Sequence, residues 1–477
     1  MYIFTGAEIK QIDQVAQKSG LDVFALMENA GRALFEEMKK HIGKTDRILI
    51  MSGKGNNGGD GIVLARYLQQ NGYLCELVFP AGKPKSETAL KHFAHYTSCG
   101  RKVSEIEGTY DVIVDALLGA GATPPLQGEI QKVIRWANEQ HALKIAVDLP
   151  TGVSADEGGA DEAFQAHYTY CLHGYKPSAF LEGSTDFYGE KKVLSIGLPQ
   201  ESKWQVWTEE QMKQTFQKRE QGAHKGTFGT GLLLAGSDEM PGSALLAGIG
   251  ALRSGIGKLM IGTSRFVAGI LAGRIPEAMY AHDGLKKVVD GQVPKGMKAC
   301  AIGPGLPDQK AIEGALQVLF QTDLPLIIDA GALGERQYPS RKAEIILTPH
   351  PGEFSKMTGV PVPDIQKNRL HFALKYAQDQ GVITVLKGRN TVIAFPDGDL
   401  FVNETGNAGL AKGGTGDTLT GMLLAFVSSE KDIKSAVANA VYFHGCCADL
   451  WDKTKAQRGL LASDVSELLP EVMKNFE

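Results

Sequence analysis

From about residue 46 the chain repeats one pattern: a short apolar run rich in β-branched residues, a glycine or polar turn, then apolar residues at helical spacing. That punctuation confines it to α/β folds, because neighbouring parallel strands need a crossover and the helical segments supply it. In the first half the strand-like runs are RILIMSG (47–53), CELVFP (75–80), DVIVDALLG (111–119), KIAVDLP (144–150), YTYCLH (168–173) and KKVLSIG (191–197). Between them lie helical patterns such as GIVLARYLQQ and IQKVIRWANEQ. A doubly wound parallel sheet is the expected result.

A polar stretch near 200–224 shows no strand signal, after which the alternation resumes. TGLLLAGS, GKLMIGT, KACAIGPG, PLIIDAGAL, AEIILTPH, VITVLKG and TVIAFP read as further strands, the last two flanking Gly388 closely enough for a hairpin. PDGD at 396–399 is a second turn signal. The second sheet is therefore expected to be mostly parallel with an antiparallel edge. At 477 residues the chain is too long for one core. We place the junction near residue 208, giving domains 1–207 and 208–477.

Composition narrows the function. A net charge of −4 leaves no basic face for nucleic acid, so anionic ligands must be held by local backbone, of which 57 glycines offer much. The six cysteines have no metal-ligand spacing, which fits a reduced compartment. Charges near the N-terminus break any signal-peptide core, and no run of 18 apolar residues occurs. The expectation is a cytoplasmic protein with small-molecule substrates, no nucleic-acid or membrane partner, and a homo-oligomeric state.

SGKGNNGGDG, Ser52 to Gly61, follows a strand and opens a helix. Its backbone amides and helix N-terminus suit a phosphate or pyrophosphate, although a glycine-rich turn alone can be only a turn. Two other strands end in carboxylates, VIVDALLGAGATPP with Asp115 and IAVDLPTGVSAD with Asp148. In a parallel sheet all three ends share one edge, where ligands of such folds bind. Asn57, Asp115 and an oxygen of Thr151 could converge there on a large, weakly charged cation, since one carboxylate with neutral oxygens suits no transition metal. Asp115 could equally be a helix cap.

LMENAGRAL, GKGNNGGDGIVLARYL, VDALLGAG and VDLPTGVSAD together resemble the NAD(P)H-hydrate epimerase domain of the YjeF N-terminal type, over nearly all of 1–205. The resemblance implies a Rossmann-like sheet. It also implies that hydrated NADH or NADPH is bound by Asn56, Asn57, Gly58, Gly59 and Asp60, by Gly119, Ala120, Gly121, Ala122, Thr123, Pro124 and Pro125, and by Asp148. Potassium is implied on Asn57, Asp115 and Thr151, where the family often has serine at the last position. The hydrate carries its hydroxyl on C6 beside the ring nitrogen, so epimerisation needs an acid/base there, and Asp148 is the candidate.

In the second half HKGTFG (224–229), GPG (303–305), TPHPGEF (348–354), LKGRNT (386–391) and NAGLAKGGTGD (407–417) each lie beside a strand-like run. GGTGD entering an apolar helix offers an anion hole, and Asp417 beside it is expected to have its ionised form favoured, ready to take a proton from a substrate hydroxyl. It could instead be an N-cap. His350 in TPHPGE is a candidate ligand contact. Lys387 could meet nucleotide phosphate or be solvated, and His224, Lys225 and Arg253 are weaker candidates for the same charge.

These motifs resemble the ribokinase-like dehydratase of the same repair pathway over roughly 215–475. The resemblance implies that ADP, or ATP in eukaryotes, phosphorylates the C6 hydroxyl of the S hydrate and that loss of phosphate restores NAD(P)H. Asp417 would then meet the hydrate. Gly416 with Lys387, Gly388, Arg389, Asn390 and Thr391 would hold the nucleotide with its magnesium, and Ala244, Gly305 and His350 would line the hydrate pocket. Ser243 stands where the family usually has alanine. The leading expectation is thus a bifunctional enzyme, isomerase and lyase. The alternatives are a ribokinase-like small-molecule kinase and a non-catalytic N-terminal binding module.

Overall fold

The computed structural model describes residues 1–122, 124–198 and 201–477, and the chain divides into two compact units, 1–205 with 366–368 and 206–365 with 369–477. In the first unit β1 (Arg47–Ser52), β2 (Leu74–Val78), β3 (Val112–Ala116), β4 (Leu143–Val147), β5 (Tyr168–Leu172) and β6 (Glu190–Leu194) form one sheet in the order 2-1-3-4-5-6. Every pairing in it is parallel. Ile48 and Ile50 pack under helices Val23–Met38 and Asn56–Gln70, while Leu49 and Met51 pack with Val133 and Ile134 of helix Gly128–Glu139. Burial of both faces explains why the strands read as continuous apolar runs rather than alternating ones. The order reverses at β1 and β3, which opens a crevice beyond their carboxyl ends.

The second unit's sheet runs β10 (Met279–His282), β9 (Lys258–Thr263), β8 (Thr230–Leu234), β11 (Ala299–Ile302), β12 (Leu326–Ile328), β13 (Ile345–Leu347), β14 (Ile383–Leu386), β15 (Thr391–Ala394), β16 (Leu400–Asn403), β7 (Trp204–Val206). The pairs β14·β15 and β15·β16 are antiparallel, so the hairpin at Gly388 and the turn at 396–399 both form. Three strands differ from the sequence reading. β7 lies inside the polar stretch thought to lack one, and β10 and β16 are runs of only four residues.

Helix Pro241–Arg253 and helix Thr415–Ser429 cover one face of this sheet. They cross with almost no gap: a Cβ on Gly421 would lie 1.9 Å from the Ala247 carbonyl oxygen, and one on Gly250 2.5 Å from that of Thr418. Gly421→Ala must therefore force the pair apart. We expect a loss of about 2–3 kcal/mol, the upper range for overpacking, read as a lowered denaturant midpoint for the second unit. No helix among the described residues is long and apolar enough to cross a membrane.

Candidate active sites

The first site forms where the chain leaves β1, β3, β4 and β5. Helix Asn56–Gln70 begins after Gly55 with no side-chain cap, so its first-turn amides stay open to a ligand. The glycines of this turn do two different jobs. A Cβ on Gly53 would strike the Leu117 carbonyl oxygen at 1.7 Å and one on Gly58 that of Gly53 at 2.1 Å, while Gly59 abuts Met27 and Gly61 abuts Ala116. Close packing of the turn on the sheet therefore explains most of them, and only Gly55 faces open space.

Asp115, at the end of β3, is completely buried. Its Oδ1 accepts from the Leu117 amide at 3.1 Å and the Thr151 hydroxyl at 2.7 Å, and its Oδ2 accepts from the Thr151 amide at 2.7 Å. It is therefore no helix cap. Burial pushes its carboxyl up to about 6 against these bonds. The Thr151 hydroxyl in turn accepts from the Leu118 amide at 3.0 Å, and the Leu118 carbonyl accepts from Asn57 Nδ2 at 2.9 Å. Asn57 and Thr151, and through Thr151 also Asp115, are thus laced together through Leu118. Asn57 Oδ1 is buried and has no hydrogen-bond partner. An orphaned amide oxygen beside a buried carboxylate and a hydroxyl is a donor set that fits a weakly hydrated monovalent cation.

Alongside lies a cavity of about 560 Å³ lined by Asn56, Asn57, Asp60, Gly119 to Ala122 and Asp148. Gly58, Gly59, Pro124 and Pro125 do not line it, and Thr123 falls outside the described residues. Asp148 sits in left-handed backbone, φ 70°, as does His173 at the end of the next strand. For a residue other than glycine this is strained, and such strain concentrates at functional sites. The Lys176 ammonium pairs with Asp148 Oδ1, which also accepts from the Leu172 amide at 3.0 Å. Asp60 and Asp13 share the cavity. Burial, reinforced by Asp148 and Asp13, pushes Asp60 well above the carboxylate range, and burial followed by Asp148 raises Asp13.

The second site occupies the carboxyl-terminal edge of the other sheet. GPG follows β11, TPHPGE follows β13 and LKGRNT joins β14 to β15. HKGTFG does not belong here: it precedes β8 and so lies at the opposite edge. Arg253 closes the helix whose start touches the site, about 15 Å away along its axis.

Asp417 is the third residue of helix Thr415–Ser429, after a left-handed Gly414 cap that offers no side-chain bond, so it is not the N-cap. Of the four glycines in the loop, Gly409 packs on Gln457 and Leu460, and Gly414 packs on Leu246. Gly413 faces open space, and a Cβ on Gly416 would come within 3.3 Å of Lys387 Nζ. Two glycines therefore seat the loop, and two leave room beside the helix N-terminus. Contrary to the expectation from that N-terminus, Asp417 is pushed up to about 6. Burial outweighs the helix end; a hydrogen bond from Ser243 and the Lys387 charge oppose it, while Asp329 adds to it.

Ser243 also packs on Gly305, whose Cβ would fall 2.7 Å from that of Ser243, whereas Ala244 is fully buried against Gly236. It is Ser243, not Ala244, that brings its side chain to Asp417. His350 caps helix Pro351–Thr358: its Nδ1 accepts from the amides of Gly352 at 3.0 Å and Glu353 at 3.2 Å. Its Nε2, on an exposed ring, lies 3.5 Å from Glu353 Oε1. The Lys387 amide donates to the Pro349 carbonyl at 2.9 Å, which binds the loop carrying His350 to the loop carrying Lys387.

The comparisons match both halves. A family model described as YjeF-related protein N-terminus matches residues 23–178, and one described as NAD(P)H-hydrate dehydratase matches residues 231–471. The bifunctional NAD(P)H-hydrate repair enzyme of Moorella thermoacetica is 32% identical over 100% of this chain and 97% of its own length. The chain belongs to the bifunctional NAD(P)H-hydrate repair enzymes. Its second half is similar to a solved ADP/ATP-dependent NAD(P)H-hydrate dehydratase from Bacillus subtilis, co-crystallised with ATP and magnesium. That likeness has a TM-score of 0.56 and 54% identity over 57% of this chain and 98% of the other. A ribokinase-like superfamily protein from Enterococcus faecalis matches with a TM-score of 0.52 and 28% identity, over 58% and 98% of the two chains.

Three polar residues of this repair enzyme escaped the sequence reading. Asp329 directly follows β12 as Asp148 follows β4, with Asp115 next to last within β3, and LIIDAGAL carries the same signal as VIVDALLG and IAVDLPTG. Arg369, buried in helix Arg369–Gln380, donates to the carbonyls of Leu386 at 2.8 Å, Lys387 at 2.9 Å and Arg389, and so holds the whole 387–391 loop. Lys176 is 1% exposed, and nothing in HGYKP marks it out.

Proposed function

We propose that the first domain, 1–207, interconverts the R and S hydrates of NADH and NADPH, and that the second, 208–477, dehydrates the S form at the expense of ADP, giving AMP and phosphate. The observation that carries the reading is that one chain holds two separate acid/base sites, each at the carboxyl edge of its own sheet.

In the first site the acidic cavity supplies the chemistry. Asp60, kept protonated by burial, is placed to give a proton to the leaving C6 hydroxyl, and Asp148, paired with Lys176, takes one from the water that returns on the other face. The nitrogen lone pair expels the hydroxyl, and its return to the opposite face completes the inversion. Asn57 Oδ1, Asp115 and Thr151 would hold potassium, whose charge would steady bound substrate phosphate at the helix start. Asp115→Asn removes the one charged ligand of that set. Half-saturating potassium for epimerisation is expected to rise by roughly tenfold or more, measured by replacing sodium stepwise at constant ionic strength.

In the second site Asp417 takes the proton of the C6 hydroxyl, whose oxygen attacks the terminal phosphorus of ADP as the bond to AMP breaks. The amides around Gly416 and the Lys387 ammonium meet the phosphoryl charge; magnesium enters with the nucleotide. The C6–O bond then breaks, driven by the ring nitrogen, and the proton on C5 leaves to restore the dihydropyridine. The experiment is incubation of mixed hydrates with the full chain, magnesium and ADP. Return of the near-ultraviolet absorbance of reduced nicotinamide, with one AMP and one phosphate per hydrate, is the expected result, and a stable phosphorylated product would point to a kinase.

A further inference from the structure

Asp329 lies at the end of β12, and it is 1% exposed. Its backbone is pinned on both sides. A Cβ on Gly303 would sit 1.7 Å from its carbonyl oxygen, and the next residue, Ala330, is held in left-handed backbone at φ 47°. Its carboxylate is bonded through both oxygens: Oδ1 accepts from Lys387 Nζ at 2.9 Å and the Thr348 hydroxyl at 2.7 Å, and Oδ2 accepts from the Thr420 hydroxyl at 2.7 Å. Both oxygens of this buried acid are thus bonded within the protein. What it does reach is Lys387, whose Nζ lies where a Cβ on Gly416 would be only 3.3 Å away.

We propose that Asp329 is a positioning residue for phosphoryl transfer: it fixes the Lys387 ammonium against Gly416, at the helix start where the nucleotide phosphates are held. The proposal rests on the nucleotide reading given above. Thr420, one turn beyond Asp417 on the same helix, and Thr348, two residues before His350, tie the carboxylate to both flanks of the site. The pair therefore fixes the lysine relative to the base as well as to the phosphate.

The electrostatics support this. Lys387 is deeply placed, which by itself disfavours its charge, yet it is raised on balance by Asp329 first, then Glu353 of helix Pro351–Thr358 and Asp417 of helix Thr415–Ser429. Of the remaining neighbours, His444 of helix Ile433–Asp452 is pushed down to about 4 by burial, and Arg369 spends its donors on carbonyls including that of Lys387. Without Asp329, burial has only the weaker pull of Glu353 and Asp417 against it.

The test uses the full chain with three variants, Asp329→Asn, Lys387→Met and the two combined. Magnesium ADP binding is followed by calorimetry and dehydration across pH. Asp329→Asn is expected to raise the Kd for ADP by about tenfold and to move the alkaline limb of kcat/KM down by about one pH unit. In the Lys387→Met background it should add nothing to Kd. A purely structural carboxylate would instead lower activity equally at all pH and would cost as much in the Lys387→Met background; either result overturns the proposal, as does an unchanged Kd. Should Asp329→Asn fail to fold, Thr420→Val keeps the charge and removes one donor; a rise in Kd of about two- to threefold is expected, and no rise counts against the proposal. If the wild type binds ADP without dehydrating hydrate, the functional reading fails while the binding data still decide the role of Asp329. If it binds no ADP, both fall.

Discussion

Asp417→Asn is expected to lower dehydration by a hundred- to ten-thousandfold, the usual worth of a general base, while leaving epimerisation unchanged. Asparagine keeps the shape at the third position of helix Thr415–Ser429 and can still accept from Ser243, so folding is spared and only proton uptake is lost. The wild-type pH profile carries the same information. A base whose carboxyl titrates at about 6 works in its ionised form. kcat/KM for dehydration should therefore level above that pH and fall tenfold for each unit below it. Because the Ser243 bond holds the value down, Ser243→Ala should move that acid limb upward. Rates measured from pH 4.5 to 8 decide it; a limb that ignores Ser243 would place the base elsewhere.

The second large effect belongs to Asp148→Asn. Given ADP and a mixture of hydrates, the wild type should consume both epimers, because the first site keeps feeding the second. The variant should consume one epimer and then stall, apart from slow spontaneous exchange. Its epimerisation is expected to fall by roughly a hundredfold or more. Lys176 also loses its ionised partner, so a companion Asp60→Asn separates the roles: it removes the proton donor and leaves the Lys176 pair in place. Full epimerase activity in Asp148→Asn would remove it from the mechanism.

Much of this was legible in the chain. Parallel strands buried on both faces print long apolar runs, so VIVDALLG and IAVDLP could be placed on one edge from sequence alone, and their acids with them. The same reasoning applied to LIIDAGAL would have found Asp329, but the acid was read as part of a strand. Lys176 and Arg369 left no such trace, because a buried cation is defined by partners distant in sequence: Asp148 lies 28 residues from Lys176, and Arg389 lies 20 from Arg369. Glycines were legible as a class and not one by one. In SGKGNNGGDG most of them turned out to relieve contact with Leu117, Met27 and Ala116 rather than to bare amides. The protonation of Asp417 was read in the wrong direction for a related reason: a helix start is visible in sequence, whereas the burial that outweighs it arises only on folding, which also brings Ser243 to Asp417 from more than 160 residues away.

A single hydrogen bond joins two loops of the second site. The Lys387 amide donates to the Pro349 carbonyl, so the loop proposed to meet nucleotide and the loop that presents His350 share a rung. Any adjustment of either loop is then felt by the other, and the free energy of that coupling is reciprocal. Whatever factor bound hydrate adds to the affinity for ADP, bound ADP must add to the affinity for hydrate. With such synergy, nucleotide held in the absence of damaged cofactor would be held weakly, and idle hydrolysis of ADP by water would be restrained by the same hydrogen bond that aligns the productive pair.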